Sequence, residues 1–343
     1  MAAEVAPSAP TAPRGCDEPL ASAYDVALLD LDGVVYIGAS AVAGAADSLA
    51  KAKAAGMRAA FVTNNASRTP SAIAAQLAGI GVAASAADVV TSAQAGARLL
   101  AERLPPGAPV LVVGGIGLRA AVRERGFRPV SVASDQPAAV IQGYAPDIGY
   151  PLLAEGALAV QAGALFVVSN ADKTLPSPRG RQPGNGSLSR VIATATGQEP
   201  LVAGKPEPPL HAESVARTGA RHPLVVGDRL DTDIEGAVRV GADSLLVLTG
   251  VTRPADAVLA PPHQRPTYLA RDLSGLLTPH PPVTRADAGF ACGGWHARRG
   301  PSRLVLSGGG DPMDGLRALC AASWAADGVT AAAVTPALTQ LGW

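Results

Sequence analysis

Asp25-Val-Ala-Leu-Leu-Asp30-Leu-Asp32-Gly33-Val34-Val35-Tyr36 decides how the rest of this 343-residue chain is read. Val26, Ala27, Leu28 and Leu29 form a short apolar run, the pattern of a strand buried on both faces of a parallel sheet. Two carboxylates follow at alternate positions, and a glycine then lets the chain turn away. In an open α/β sheet, ligands bind beyond the carboxyl ends of the strands, where Asp30 and Asp32 fall. Two close acids repel each other, so such a pair calls for a cation or a shared proton. The ordinary alternative is a solvated turn, and three later stretches bear on the choice.

The first is Arg58-Ala-Ala-Phe61-Val62, a strand that runs into Thr63-Asn64-Asn65-Ala66-Ser67. Ser67 or Thr69 then caps a helix whose first turn suits Pro70. Hydroxyl and amide groups at a strand-to-helix switch suit a phosphate cradle, although a plain helix cap has the same composition. The second is Gly204-Lys205-Pro206, where a lysine held between glycine and proline is a constrained cation suited to a phosphoryl oxygen. A surface lysine in a turn is its ordinary counterpart. The third is Pro223-Leu-Val-Val-Gly227-Asp228-Arg229-Leu230-Asp231-Thr232-Asp233, a buried strand followed by an acidic loop. Three aspartates so close together repel unless a hard cation is present. Asp231 and Asp233 also sit where helix-capping acids sit, which leaves Asp228, nearest the strand end, as the metal candidate.

Composition narrows the class. Apolar residues make up 48% and charged residues 16%, as in a globular chain, and 28 basic against 28 acidic residues leave no electrostatic footprint for nucleic acid. No run is long enough to span a bilayer. Cys16, Cys292 and Cys320 are far apart and lack a C-x-x-C, which fits neither a disulfide framework nor a zinc site and suits a reducing cytoplasm. Residues 1–22 read as an unstructured tail. Residues 23–92 and 198–278 read as one α/β core, and 93–197 as an inserted α/β domain with its own alternation of strands and helices. Residues 279–343 read as a proline-rich linker and a small α/β segment.

One stretch points elsewhere. Pro109-Val-Leu-Val-Val-Gly114-Gly115-Ile116-Gly117-Leu118-Arg119-Ala120 matches the dinucleotide fingerprint, with Asp135 near the ribose position. It lies in mid-chain, Asp135 falls in a loop-like run, and a better-specified phosphate site exists. A dinucleotide-binding oxidoreductase built on Gly115 and Gly117 is therefore the remote alternative.

In order and strand-end placement, Asp30-Leu-Asp32-Gly33, Thr63-Asn64-Asn65, Gly204-Lys205-Pro206 and Gly227-Asp228-Arg-Leu-Asp-Thr-Asp233 resemble the four motifs of the haloacid dehalogenase-like phosphohydrolases. Asn170-Ala-Asp172 and Pro183-Gly-Asn-Gly-Ser187 are similar to the branch with an α/β cap between the second and third motifs. Val62-Thr-Asn-Asn-Ala-Ser-Arg68, Val89-Val-Thr-Ser-Ala-Gln94 and Leu248-Thr-Gly-Val251 resemble the actinobacterial D-glycerol 3-phosphate phosphatases within it.

The resemblance implies a doubly wound parallel-sheet (Rossmann-like) core, an inserted cap and a small C-terminal appendage. It implies Asp30 as nucleophile, Asp32 as general acid and then base, and Thr63, the Asn64 N–H, Asn65 and Lys205 on the phosphate. It implies Mg2+ held by the Asp30 and Asp228 side chains and the Asp32 carbonyl, with Asp233 on a metal-bound water. Asn170 and Asp172 become candidates to contact glycerol hydroxyls, with a solvated turn as the alternative. The partner implied is a small phosphorylated metabolite, with no nucleic acid or membrane insertion and a homodimer left open. Another small phosphate, such as a nucleoside monophosphate, phosphoglycolate, pyridoxal phosphate or p-nitrophenyl phosphate, is the alternative substrate.

Overall fold

The computed structural model describes residues 9–177 and 179–343. The chain gathers into two compact units, the first running up to residue 60 and resuming over 80–82 and 220–343, the second taking 61–79 and 83–219.

The first unit is built on parallel strands hydrogen-bonded in the order Tyr268–Ala270, Asp243–Val247, Pro223–Gly227, Val26–Leu29. Val26–Leu29 is buried at every position, which is why its sequence is continuously apolar rather than alternating. Leu29 lies opposite Val226, so the two acidic turns begin at neighbouring strand ends. The Arg58 N–H donates to the Asp25 carbonyl (3.0 Å), and the chain crosses to the second unit within the Arg58–Thr63 strand.

Residues 279–343 belong to this first unit. They form an antiparallel sheet of Thr284–Ala286, Gly289–Cys292, Trp295–Arg299 and Leu304–Gly308, then helices Pro312–Trp324 and Ala331–Gln340. Leu304, Leu316, Leu319 and Trp324 share one buried cluster with Leu246, Leu269, Leu230 and Ile234. Burying apolar area contributes about 25 cal/mol per Å2, so this shared core holds the appendage to the parallel sheet. Buried Arg317 adds direction, donating to Asp314 (2.6 Å) and to the Leu269 carbonyl (2.7 Å).

The second unit carries five parallel strands in the order Leu201–Val202, Leu165–Val168, Ala139–Gln142, Pro109–Val113, Arg128–Val130. Phe61–Thr63 pairs with Val89–Thr91 in the same unit. Helix Ser92–Ala101 opens with a capping box, Thr91 accepting from the Gln94 N–H and Gln94 accepting from the Thr91 N–H. It packs against helices Ile116–Glu124 and Pro208–Thr218. Among the described residues no helix is long and apolar enough to cross a membrane.

One expectation differs from this. The unstructured tail does not extend to residue 22: residues 1–8 lie outside the described residues, but the segment after them is packed. Cys16 and His280 form an antiparallel bridge, Leu20 is buried, and Arg14 pairs with Asp243 at 2.8 Å. Alanine and proline conceal a few anchoring residues that meet the sheet only in three dimensions. Residues 61–79, 83–92 and 198–219 gather with the insertion, because helix Pro208–Thr218 packs on helix Ser92–Ala101, and residues 66–68 pack on Gly117.

Candidate active site

Each unit presents its own set of functional groups at strand ends. In the first, the Val26–Leu29 strand ends in Asp30, whose N–H donates to the Val226 carbonyl (2.8 Å) and so keeps the two strands in register through the turn. Carboxylate oxygens of Asp30, Asp228 and Asp233 lie within 4.8 Å of one another, Asp228 being 0% and Asp233 1% exposed. Taking two carboxylates out of water beside a third is costly unless a cation balances them. An all-oxygen set from hard carboxylates suits Mg2+ or Ca2+ rather than a thiolate-seeking metal, so the residues fit the divalent cation implied by the sequence.

Glycines shape this cluster. Gly33 has φ +84°, and a Cβ there would lie 2.5 Å from Asp228 Oδ2. A Cβ on Gly250 would overlap the same carboxylate, and one on Gly227 would overlap the Asp233 side chain. Asp228 is fixed by the Val251 N–H (2.6 Å to Oδ2), and Thr252 N–H donates to its carbonyl (3.1 Å). Thr249 Oγ1 donates to the Gly33 carbonyl (2.5 Å), tying the loop to the first acidic turn. The 249–251 loop is thus part of the site. In the sequence only the resemblance, through Leu248-Thr-Gly-Val251, marks it.

The other acids take distinct places. Asp32 is exposed, forms a bridge with Tyr36, and its carboxylate is not part of the three-acid group. Asp233 Oδ2 accepts from the Arg229 N–H (3.2 Å), so this acid braces its own loop as well as joining the cluster. Asp231 is an exposed partner of Arg229, at 3.0 and 2.8 Å, and the guanidinium hydrogen bonds hold its carboxyl below the ordinary value.

The second unit gathers Thr63, Asn64, Asn170, Asp172 and Lys205. Thr63 and Lys205 are buried, at 5% and 4% exposure. Lys205 Nζ donates to the Val62 carbonyl (3.2 Å). Asn64 stands at the centre. Its Oδ1 accepts from the Lys205 N–H (2.8 Å), and its Nδ2 donates to the Lys205 carbonyl and to Asp172 Oδ2, both 3.1 Å. Its own carbonyl accepts from Asn170 Nδ2 (2.7 Å) and Ser92 Oγ (2.6 Å).

Asn170 and Asp172, candidates for glycerol contacts, therefore have these polar atoms on protein partners. Asn65 is exposed, and its Oδ1 accepts from the Ser67 N–H (2.9 Å) and Oγ (2.8 Å), an Asx-type turn. Ser92 and Asn185, which donates to the Asn170 carbonyl (2.7 Å), join this network; both fall in stretches that carry the family resemblance, but no role had been read for either. Hydroxyl and amide partners chosen by tertiary contact leave no periodic trace.

The dinucleotide-like glycines serve packing. A Cβ on Gly117 would overlap the Arg68 carbonyl, and the Gly117 N–H donates to Ser67 O (3.1 Å). Protein backbone thus occupies the helix N-terminus that a pyrophosphate would need.

Known proteins share much of this sequence and fold. A family model described as "Haloacid dehalogenase-like hydrolase" matches residues 27–128, and one described as "HAD-hydrolase-like" matches 202–276. A "GCN5-related N-acetyltransferase like domain" model matches 292–343. The D-glycerol 3-phosphate phosphatase of Mycobacterium tuberculosis is 52% identical over 257 residues, covering 75% of this chain and 72% of that protein. The 5'-nucleotidase YutF of Bacillus subtilis is 37% identical, covering 67% and 89%. A crystal structure of the M. tuberculosis glycerol phosphate phosphatase in complex with magnesium superposes with a TM-score of 0.86 at 44% identity, covering 94% of this chain and 99% of that one. A second, in complex with calcium, gives 0.85 at 43% identity.

Proposed function

The chain belongs to the haloacid dehalogenase-like hydrolase family, and we propose that it is a Mg2+-dependent D-glycerol 3-phosphate phosphatase releasing glycerol and phosphate. The observation that carries the reading is the convergence of Asp30, Asp228 and Asp233 at neighbouring strand ends, the chemistry of a hard-cation site beside a nucleophilic carboxylate. The substrate rests on the 52% identity to a relative of that name.

Asp30 attacks phosphorus, the bond to the glycerol oxygen breaks, and Asp32 gives its proton to the departing oxygen. Asp32, now a carboxylate, takes a proton from water as that water attacks phosphorus, and the bond to Asp30 breaks to free phosphate. One acid thus serves in both protonation states, and the proton it takes from the attacking water restores it for the next turnover. Thr63, the Asn64 N–H and Lys205 bind the equatorial phosphoryl oxygens, where charge gathers in the transition state. Asp30, Asp228, Asp233 and the Asp32 carbonyl would hold Mg2+, which supplies charge neutralisation on the phosphoryl group. The cap role falls to residues 93–197.

Phosphate release from a panel of monophosphates tests this. D-glycerol 3-phosphate should lead nucleoside monophosphates, sugar phosphates, phosphoglycolate, pyridoxal phosphate and p-nitrophenyl phosphate. If a nucleotide or sugar phosphate leads instead, the substrate assignment falls and the chemistry stands. The three cysteines are free thiols, in keeping with a cytoplasmic setting. Assembly as a homodimer belongs to the same proposal and is decided by sedimentation.

A further inference from the structure

Asn64 sits where three separate stretches of the second unit meet, and its side chain touches two of them in a directional way. The Asn64 amide and the Lys205 peptide unit form a reciprocal pair, the Lys205 N–H donating to Oδ1 (2.8 Å) and the Lys205 carbonyl accepting from Nδ2 (3.1 Å). Two such bonds fix both the distance and the rotation of the Lys205 backbone, which a single bond would leave free to swing. The same Nδ2 reaches Asp172 Oδ2 at 3.1 Å, and Asn170 Nδ2 holds the Asn64 carbonyl at 2.7 Å.

The residue before the lysine is shaped for this contact. A Cβ on Gly204 would lie 2.5 Å from Asn64 Oδ1, 2.6 Å from the Ser169 carbonyl and 3.0 Å from Asn170 Cβ. Real Cβ atoms do not approach so closely, so the glycine leaves room for the amide of Asn64.

We propose that Asn64 is a positioning residue that aims Lys205, and that Asn170 and Asp172 hold Asn64 rather than read the substrate. This rests on the assignment of Lys205 to the phosphoryl oxygens. Asp172 thereby links the inserted stretch to the rate of the chemical step for every substrate, and substrate preference is set elsewhere.

A double-mutant cycle on the full chain tests this, with phosphate release from D-glycerol 3-phosphate and p-nitrophenyl phosphate as readouts and thermal melts as a folding check. Asn64→Ala should lower kcat about 10- to 100-fold, with KM changing less than 3-fold, as when one element supporting a preorganised donor is lost. Gly204→Ala should lower kcat in the same range. Asn64→Ala combined with Lys205→Ala should be no slower than Lys205→Ala alone, because the positioned group is already gone. Multiplicative losses in that double variant would overturn the proposal.

Amide hydrogen exchange over 201–207 supplies a second readout: protection at Lys205 should fall in Asn64→Ala, and unchanged protection would also overturn it. Asp172→Ala should slow both substrates by the same factor; a changed ratio between them would return that residue to substrate recognition. If Lys205→Ala alone kept wild-type rates, the underlying phosphate-site assignment would be at fault, a result distinct from failure of the cycle.

Discussion

The first unit holds its functional groups by charge and the second by hydrogen-bond direction. Around Asp228, three acids converge and glycines at 33, 227 and 250 are cut back to make space, so the cluster is defined by crowding and by the cation that it calls for. Around Asn64, nearly every group is already committed to a protein partner, and the cluster is defined by which amide faces which carbonyl. A site for a mobile ion needs concentrated like charge, whereas a site for transition-state charge needs donors that do not move when the charge appears.

Asp30→Asn should produce the largest effect. Removing the nucleophile is expected to lower phosphate release about 10^4-fold or more, with the melting temperature unchanged. Substantial residual turnover would remove the first unit's nucleophile from the comparison. Lys205→Ala should cost about 10^2- to 10^3-fold in kcat, the scale for losing one preorganised donor, and steady-state kinetics at saturating Mg2+ measure it.

Leu319→Ala probes the first unit's packing. Leu319 is fully buried in the cluster shared with Leu246 and Leu269, so the truncation should destabilise the chain by about 2–5 kcal/mol in one cooperative melt. Two separate transitions would mark residues 279–343 as an independent domain. Gly250→Ala should push on the Asp228 carboxylate and weaken Mg2+ about 10- to 100-fold, with D-glycerol 3-phosphate still processed at saturating metal.

The smallest effects concern groups outside both clusters. Burial pushes the Cys292 thiol up to about 12 and raises Cys320 as well, so neither forms thiolate near neutral pH. Iodoacetamide at pH 8 should label the partly exposed Cys16 first, as peptide mapping would report. For Asp25, burial would raise the carboxyl, but N–H groups of Arg221 (2.8 Å) and His222 (3.0 Å) outweigh it and hold the pKa below the ordinary value. Its stabilisation is present above the unfolded carboxylate pKa and is lost as pH falls through the lowered folded value. Asp25→Asn should therefore flatten the acid limb of the melting temperature against pH.

The sequence carried the first unit's site more fully than the second's. Apolar runs ending in Asp30 and Asp228 are legible because a buried parallel strand has a composition of its own and close acids in a turn are conspicuous. Lys205 and Thr63 were legible as residue types at strand ends. The hydrogen-bond partners of Asn64, Asn65, Asn170 and Asp172 were not, since an asparagine that caps a turn, as Asn65 does, is written in the same letters as one that pairs with a distant peptide unit. The anchoring of Cys16 on His280 and the docking of helix Pro312–Trp324 are long-range in the same sense: nothing local in either stretch names the residues that it meets.

The comparison is tested most directly by calorimetric titration of Mg2+ into the intact chain, its Asp228→Asn variant and its Lys205→Ala variant. Asp228→Asn should lose measurable Mg2+ binding, whereas Lys205→Ala should bind Mg2+ as the unaltered chain does and yet turn over D-glycerol 3-phosphate at least about 10^2-fold more slowly. Wild-type Mg2+ affinity in Asp228→Asn, or loss of Mg2+ binding in Lys205→Ala, would contradict this.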